Sequence, residues 1–309
     1  MTPLKLPALK LPVLPKSAWT VAWLSLAISL ATIIVLTILP KKAPLVVFDI
    51  VAESLVQEIS RPALSAFFIE GAMIDDRTGC DASFFDGDLF TGVVHPPAGS
   101  LVAYNWRATA LAVGIDRQGV SAPVRLTSRS EAECELTAGS ISLRVNQAAG
   151  GLLLPLAGAA EIGRELGVAT TSHSTGLLRS GSFQVFGRSI APWAADVLYP
   201  ITTGPVVLPA GSRLSVEGPG DTARALFGLA THTPEGFVIS ATADASLISL
   251  YRPGADDQRE RFAFGVFSDF FGDPQIGVIF FFVFLVVTVL QVVTGWVGLW
   301  RDSQPGSGK

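Results

Sequence analysis

The stretch from Ile276 to Trp300 reads IGVIFFFVFLVVTVLQVVTGWVGLW and carries no charge. Nothing else in the chain narrows its possible folds so far. As a helix it is about 37 Å long, enough to cross a hydrocarbon core of about 30 Å. A second uncharged stretch, Ala18 to Leu39 (AWTVAWLSLAISLATIIVLTIL), reaches about 33 Å by the same rise. It is too long for a signal-peptide core and no Ala-x-Ala site follows it, so an uncleaved anchor is expected. The expectation is a two-span membrane protein.

Charge orients it. All six lysines (Lys5, Lys10, Lys16, Lys41, Lys42 and Lys309) lie outside residues 43–274. That middle region holds fifteen arginines against twenty-five carboxylates, a net of −10, whereas the remainder nets +6. Basic ends around an acidic middle fit cytoplasmic termini and an extracytoplasmic domain. Abundant Ala, Gly and Arg with few Lys suggest a bacterial chain, which places the domain in the periplasm and the spans in the inner membrane. In that oxidising compartment the two cysteines, Cys80 and Cys134, are expected to form one disulfide. Closing that loop stabilises the fold by about 4 kcal/mol in the chain-entropy view.

The fold class that follows is a membrane-anchored, mainly-β protein. Two transmembrane helices flank an antiparallel β-sandwich or barrel-like domain with a short amphipathic helix at its start. The expected order is a basic Pro-rich tail (1–17), the first span (18–39), an amphipathic helix and acidic loop (43–90) and the β-rich domain (91–254). An aromatic juxtamembrane segment (255–275), the second span (276–300) and a short tail (301–309) follow. The helix is read from PLVVFDIVAESLVQEISR, where Phe48, Ala52, Leu55 and Ile59 share one face and Asp49, Glu53 and Gln57 lie opposite. Strands are read from short runs bounded by turn residues: SLVAYNW, APVRLTS, ISLRVNQ, GLLLPLAG, SFQVFGR, RLSVEG, FVISATA and SLISLYR. TGVVHPPAGSLV at 91 and TGPVVLPAGSRL at 203 share the turn Pro-Ala-Gly-Ser before a strand, with AGSISL at 138 a weaker copy. Phe262, Phe264, Phe267, Phe270 and Phe271 are expected at the headgroups.

Small and polar residues mark one face of each span: Ala18, Ala22, Ser25, Ser29 and Thr32 in the first, Thr288, Gln291, Gly295 and Gly298 in the second. Such faces let helices approach closely in lipid, with Gln291 at the depth of Ser25 and Ser29. They are expected to pack on each other or on another subunit.

Chemistry is thinly signalled. MIDDRTGCDASFFDGDLF at 73 offers Asp81, Asp86 and Asp88 as weak calcium ligands, but it lacks the alternating oxygens and bidentate Glu of such a loop. A solvated loop held by Cys80 is the plainer reading. His95, His173 and His232 are scattered, and no His-Glu-x-x-His, Gly-x-Ser-x-Gly or phosphate-cradling loop is present. No cofactor is implied, and an acidic exposed mass disfavours nucleic acid.

Two spans around an extracytoplasmic domain resemble the topology of polysaccharide co-polymerases, although those are helical where this chain reads as strands. The leading functional expectation is a non-catalytic subunit of an envelope assembly for export, secretion or surface polymer, whose partners are other membrane or periplasmic proteins or further copies of itself. The flanking tails are too short to fold as output domains. The alternative is a tethered sugar- or lipid-binding module using Tyr104, Trp106, Trp193 and Tyr199, and the third is a hydrolase built on histidine and aspartate.

Overall fold

The computed structural model describes residues 43–107, 110–117, 119–146, 152–164, 178–189, 197–218, 222–252, 259–264 and 273–303, with Trp23, Ala27, Leu30 and Ala31. The chain divides into two compact units. The larger is Lys42–Arg188 with Asp196–Gly272; the smaller is Met1–Lys41 with Ser189–Ala195 and Asp273–Lys309.

The larger unit is antiparallel β throughout its pairings, and it starts earlier than residue 91. Leu45–Ala52 is β1 and Ser54–Glu58 is β2. This corrects the expected amphipathic helix. In β1 the even positions Val46, Phe48, Ile50 and Ala52 are buried; beyond the bend at Glu53 the odd positions Leu55 and Ile59 are buried. The break resets the period-two phase, so two strands reproduce the 4-3-4 spacing of a helix face. Strand wins because LVVFDIV is dominated by β-branched residues and β1 is paired along both edges, to β11 and to β16. Gln57, expected on the polar side, is buried and donates from Nε2 to the Tyr104 hydroxyl at 3.3 Å.

The remaining strands are β3 (Phe67–Ile74), β4 (Leu89–His95), β5 (Leu101–Arg107), β6 (Ala110–Asp116), β7 (Val124–Ser128), β8 (Glu133–Leu136) and β9 (Ser140–Asn146). Then come β10 (Leu153–Ile162), β11 (Leu178–Arg188), β12 (Leu198–Pro200), β13 (Val206–Val207), β14 (Arg213–Glu217), β15 (Ala225–Thr233), β16 (Gly236–Asp244), β17 (Leu247–Tyr251) and β18 (Arg259–Ala263). All eight runs picked out above fall on strands.

Pairing gives a first sheet in the order β10-β15-β16-β1-β11, with β12 and β13 both beside β11. The second runs β18-β17-β14-β10-β2-β5-β6-β9-β3-β4-β7-β8. Strand β10 serves both: Leu153–Ala159 pairs with β15, and Ala160–Ile162 with β2. The two sheets face each other across aromatic contacts. Tyr104 of β5 meets Phe237 of β16 at 6.4 Å, and Phe183 of β11 meets Phe262 of β18 at 5.4 Å. Phe262 and Phe264 thus pack on the β core rather than at a lipid surface, while Phe267, Phe270 and Phe271 lie outside the described residues.

The repeated turn serves the same purpose twice. Gly99 (φ +81°) and Gly211 (φ +78°) take the left-handed conformation that suits glycine, and Ser100 and Ser212 behind them are fully buried. Each turn carries the chain between strands that are not neighbours, β4 to β5 and β13 to β14.

The smaller unit contains α1, Pro274–Ser303. Asp273 caps it, its Oδ1 accepting from the Gln275 N–H at 2.9 Å, and proline follows at the first helical position. Ser189 Oγ donates to Asp273 Oδ2 at 2.9 Å. Within Pro274–Trp296 an 18-residue stretch has a mean hydropathy of 2.9, and the segment is long and apolar enough to cross a membrane. Residues 18–39 lie outside the described residues except for four in helical conformation: Trp23, Ala27, Leu30 and Ala31.

Candidate functional site

Cys80 and Cys134 are joined in a disulfide with Cα atoms 5.4 Å apart, tying the loop after β3 to β8. In that loop Arg77 Nη1 meets Asp88 Oδ1 at 2.9 Å, and the Arg77 guanidinium lies 4.9 Å from the Phe85 ring centroid. Asp76 accepts from the Thr78 N–H and hydroxyl, which lowers its pKa below the usual carboxylate range. Asp81, Asp86 and Asp88 do not converge. Among the described residues no group of three or more His, Cys, Asp or Glu side chains is placed to hold a metal ion.

The histidines are equally dispersed. His95 Nε2 is 3.3 Å from Thr127 Oγ1. It lines a concavity of about 380 Å³ with Pro62, Pro96, Pro97, Pro123, Arg125 and Glu135, a largely proline-walled space with no serine or cysteine among its described lining residues. His232 is buried under Trp106, ring centroids 4.0 Å apart, and neither ring nitrogen has a hydrogen-bond partner among the described residues. Desolvation lowers its pKa. No carboxylate touches it among the described residues, so it is an inward core residue of β15. His173 lies outside the described residues.

The aromatic candidates for sugar stacking are also core. Tyr104, Trp106 and Tyr199 are 0%, 7% and 4% exposed, and burial pushes the Tyr104 phenol well above its ordinary pKa. Trp193 lies outside the described residues.

What the larger unit does expose is the outer face of its first sheet. Antiparallel sheets with one wet face normally alternate apolar inside and polar outside. Here five outward positions are apolar, among polar ones: Leu153, Phe227, Leu229, Val47 and Val207 are 54%, 40%, 50%, 37% and 76% exposed. Register aligns them in rows. Phe227 pairs with Thr242, which pairs with Val47; Leu229 pairs with Ser240, Ser240 with Asp49 and Asp49 with Ser182, opposite Val207. Arg61 stacks over Phe227 at 5.3 Å. Sequence reading missed this face because it showed strands without saying which side of each would be covered.

Along α1 the less exposed line runs through Ile276, Ile279, Val283, Val287, Leu290 and Thr294, at helical spacing. Gln291 and Gly295 are exposed, and Thr288 Oγ1 donates back to the Phe284 carbonyl at 2.8 Å. Thr288 itself is half-buried, next to that line. Gly298 belongs to α1 as well, whereas Ala18, Ala22, Ser25, Ser29 and Thr32 lie outside the described residues.

These features define a mainly antiparallel β protein with a helix apolar enough to span a membrane, an exposed apolar sheet face, and no assembled catalytic cluster among the described residues. No protein-family model, curated protein or solved structure matches the chain.

Proposed function

We propose that the chain is a non-catalytic inner-membrane subunit of a bacterial envelope assembly, serving export, secretion or surface-polymer machinery. Its β unit presents a partner-binding surface in the periplasm, and its termini lie in the cytoplasm. The observation that carries this reading is the outer face of the first sheet. A face on which the exposed Leu153, Phe227, Leu229, Val47 and Val207 are interleaved with Thr242, Ser240, Asp49 and Ser182 has the mixed make-up of a protein interface, with an arginine stacked on an aromatic ring as a natural anchor. The exposed Gln291 stripe on α1 supports lateral contacts in the same assembly, because a carboxamide in lipid gains from a partner helix.

The test is purification of tagged full-length protein from its native host in mild detergent, beside the variant Phe227→Glu/Leu229→Glu. Discrete chains in fixed ratio with the wild type, lost from a variant that keeps its β circular dichroism, support the proposal. A lone monomer, or partners retained by the variant, refutes the role of this face.

A further inference from the structure

On its side away from the hydrophobic core, the second sheet carries a polar, largely buried face across β2, β10, β14 and β17, Ser215 and Ser249 being 8% and 0% exposed. Its register sets Val56, Glu161, Ser215 and Ser249 in one row, with Arg213 opposite Tyr251 one step away. Over this face lies a groove of about 270 Å³ whose lining includes Glu58, Glu161, Arg164, Ser215, Glu217 and Tyr251. Glu217 is the unusual member. Its side chain is only 9% exposed; Oε1 accepts from Ser215 Oγ at 2.9 Å and sits 3.5 Å from Arg259 Nη1. Its other oxygen, Oε2, is buried without a hydrogen-bond partner among the described residues. The same holds on this face for Ser54 Oγ, Asn105 Oδ1, Arg213 Nε and Ser249 Oγ.

Buried polar atoms are costly when unpaired, and a carboxylate oxygen most of all, so a cluster of them beside an open groove marks a place for a ligand that brings donors. We infer that this groove binds a short neutral glycan, one or two sugar rings, with Glu217 Oε2 accepting from a sugar hydroxyl. The charge pattern selects this chemistry. Two of the three lining carboxylates are already opposed, Glu161 by Arg164 at 3.1 Å and Glu217 by Arg259 at 3.5 Å, so only Glu58 is left without an ion pair among the described residues to draw a cation. A hydroxyl both donates and accepts, which matches a lining of carboxylates, guanidinium and serine. Tyr251, its ring backed by Arg213 at 4.2 Å, supplies a rigid aromatic wall. The volume lies at the small end of ligand sites, which limits the ligand to a ring or two. The groove is independent of the apolar face of the first sheet, and either assignment stands without the other.

The experiment is calorimetric titration of the detergent-solubilised full chain with glucose, galactose, mannose, N-acetylglucosamine and their β-1,4-linked disaccharides, with cadaverine as a cationic probe. Saturable binding of at least one sugar is expected, weakened tenfold or more in Glu217→Ala and in Tyr251→Ala, both variants keeping wild-type circular dichroism. Should Glu217→Ala fail to fold, the Tyr251→Ala titration alone decides. No sugar bound by the folded wild type, sugar binding indifferent to these substitutions, or cadaverine bound with the same dependence on Glu217 overturns the inference.

Discussion

His232 and Arg117 show opposite ways of burying a basic side chain. His232 lies against Trp106 with both ring nitrogens unpaired among the described residues, and burial lowers its pKa below the ordinary histidine value of about 6.5. The folded chain therefore holds the proton less tightly than the unfolded one. Stability is unaffected by this group above about pH 6.5 and falls as pH drops below it, by at most about 1.4 kcal/mol per pH unit. Thermal melts between pH 8 and pH 5 should show His232→Phe losing less stability on acidification than the wild type; equal losses would remove His232 as a source. Arg117 is 6% exposed but well satisfied, its guanidinium donating to the carbonyls of Ala122, Ala138, Ser121 and Val120 at 2.9, 2.9, 3.1 and 3.3 Å. Arg117→Met strands those carbonyls, and urea unfolding should register a loss of about 3 kcal/mol. Arg117→Lys should recover only part of it, because an ammonium cannot reproduce the planar fork. Neither role was readable from residue type. An Arg in RQGVSAP looks like a solvated turn, and Gln57 looked like polar helix surface until β5 brought Tyr104 over it.

Strand β10 carries the heaviest topological load, since it leaves one sheet and enters the other within ten residues. Gly158 stands at that changeover, where a Cβ would run into the Glu58 carbonyl oxygen. Gly158→Ala should cost about 1–3 kcal/mol through overpacking against backbone that cannot move aside, measured by chemical denaturation. Gly114→Ala, with open space at its Cβ, is the control that should cost much less. The disulfide acts on another pair of elements, fixing the acidic loop to β8 across a separation of 54 residues. Cys80→Ser/Cys134→Ser should lower stability by about 2–4 kcal/mol, and dithiothreitol should lower the wild type equally while leaving the variant unchanged. Eight strands after residue 91 were legible because turn residues punctuate their alternating runs, whereas β6, β8, β15 and β18 were not picked out. Nor were β1 and β2, since the bend at Glu53 disguised two strands as one helical period.

For the chain as a whole, α1 is the element long and apolar enough among the described residues to cross a membrane, and that capacity can be tested. Two buried charges in mid-helix, Val286→Asp/Val289→Asp, cost about 5–7 kcal/mol of insertion free energy and should shift the protein out of carbonate-washed membranes. Retention of that variant at wild-type level would argue against α1 as an anchoring span. Composition alone determined that this helix exists and carries no charge from Ile276 to Trp300, because twenty-odd uncharged, mostly apolar residues have few other stable forms. Local alternation and turn chemistry determined that the middle of the chain is antiparallel sheet. Only the tertiary structure decided which face of each strand is covered, that Tyr104 and Trp106 are core rather than ligand platforms, and that Glu217 lies in a groove with one oxygen unpaired. The reason is physical: alternation reports that a strand has two different sides, but burial belongs to the neighbours that arrive from distant sequence, and those neighbours are chosen by pairings that no local pattern encodes.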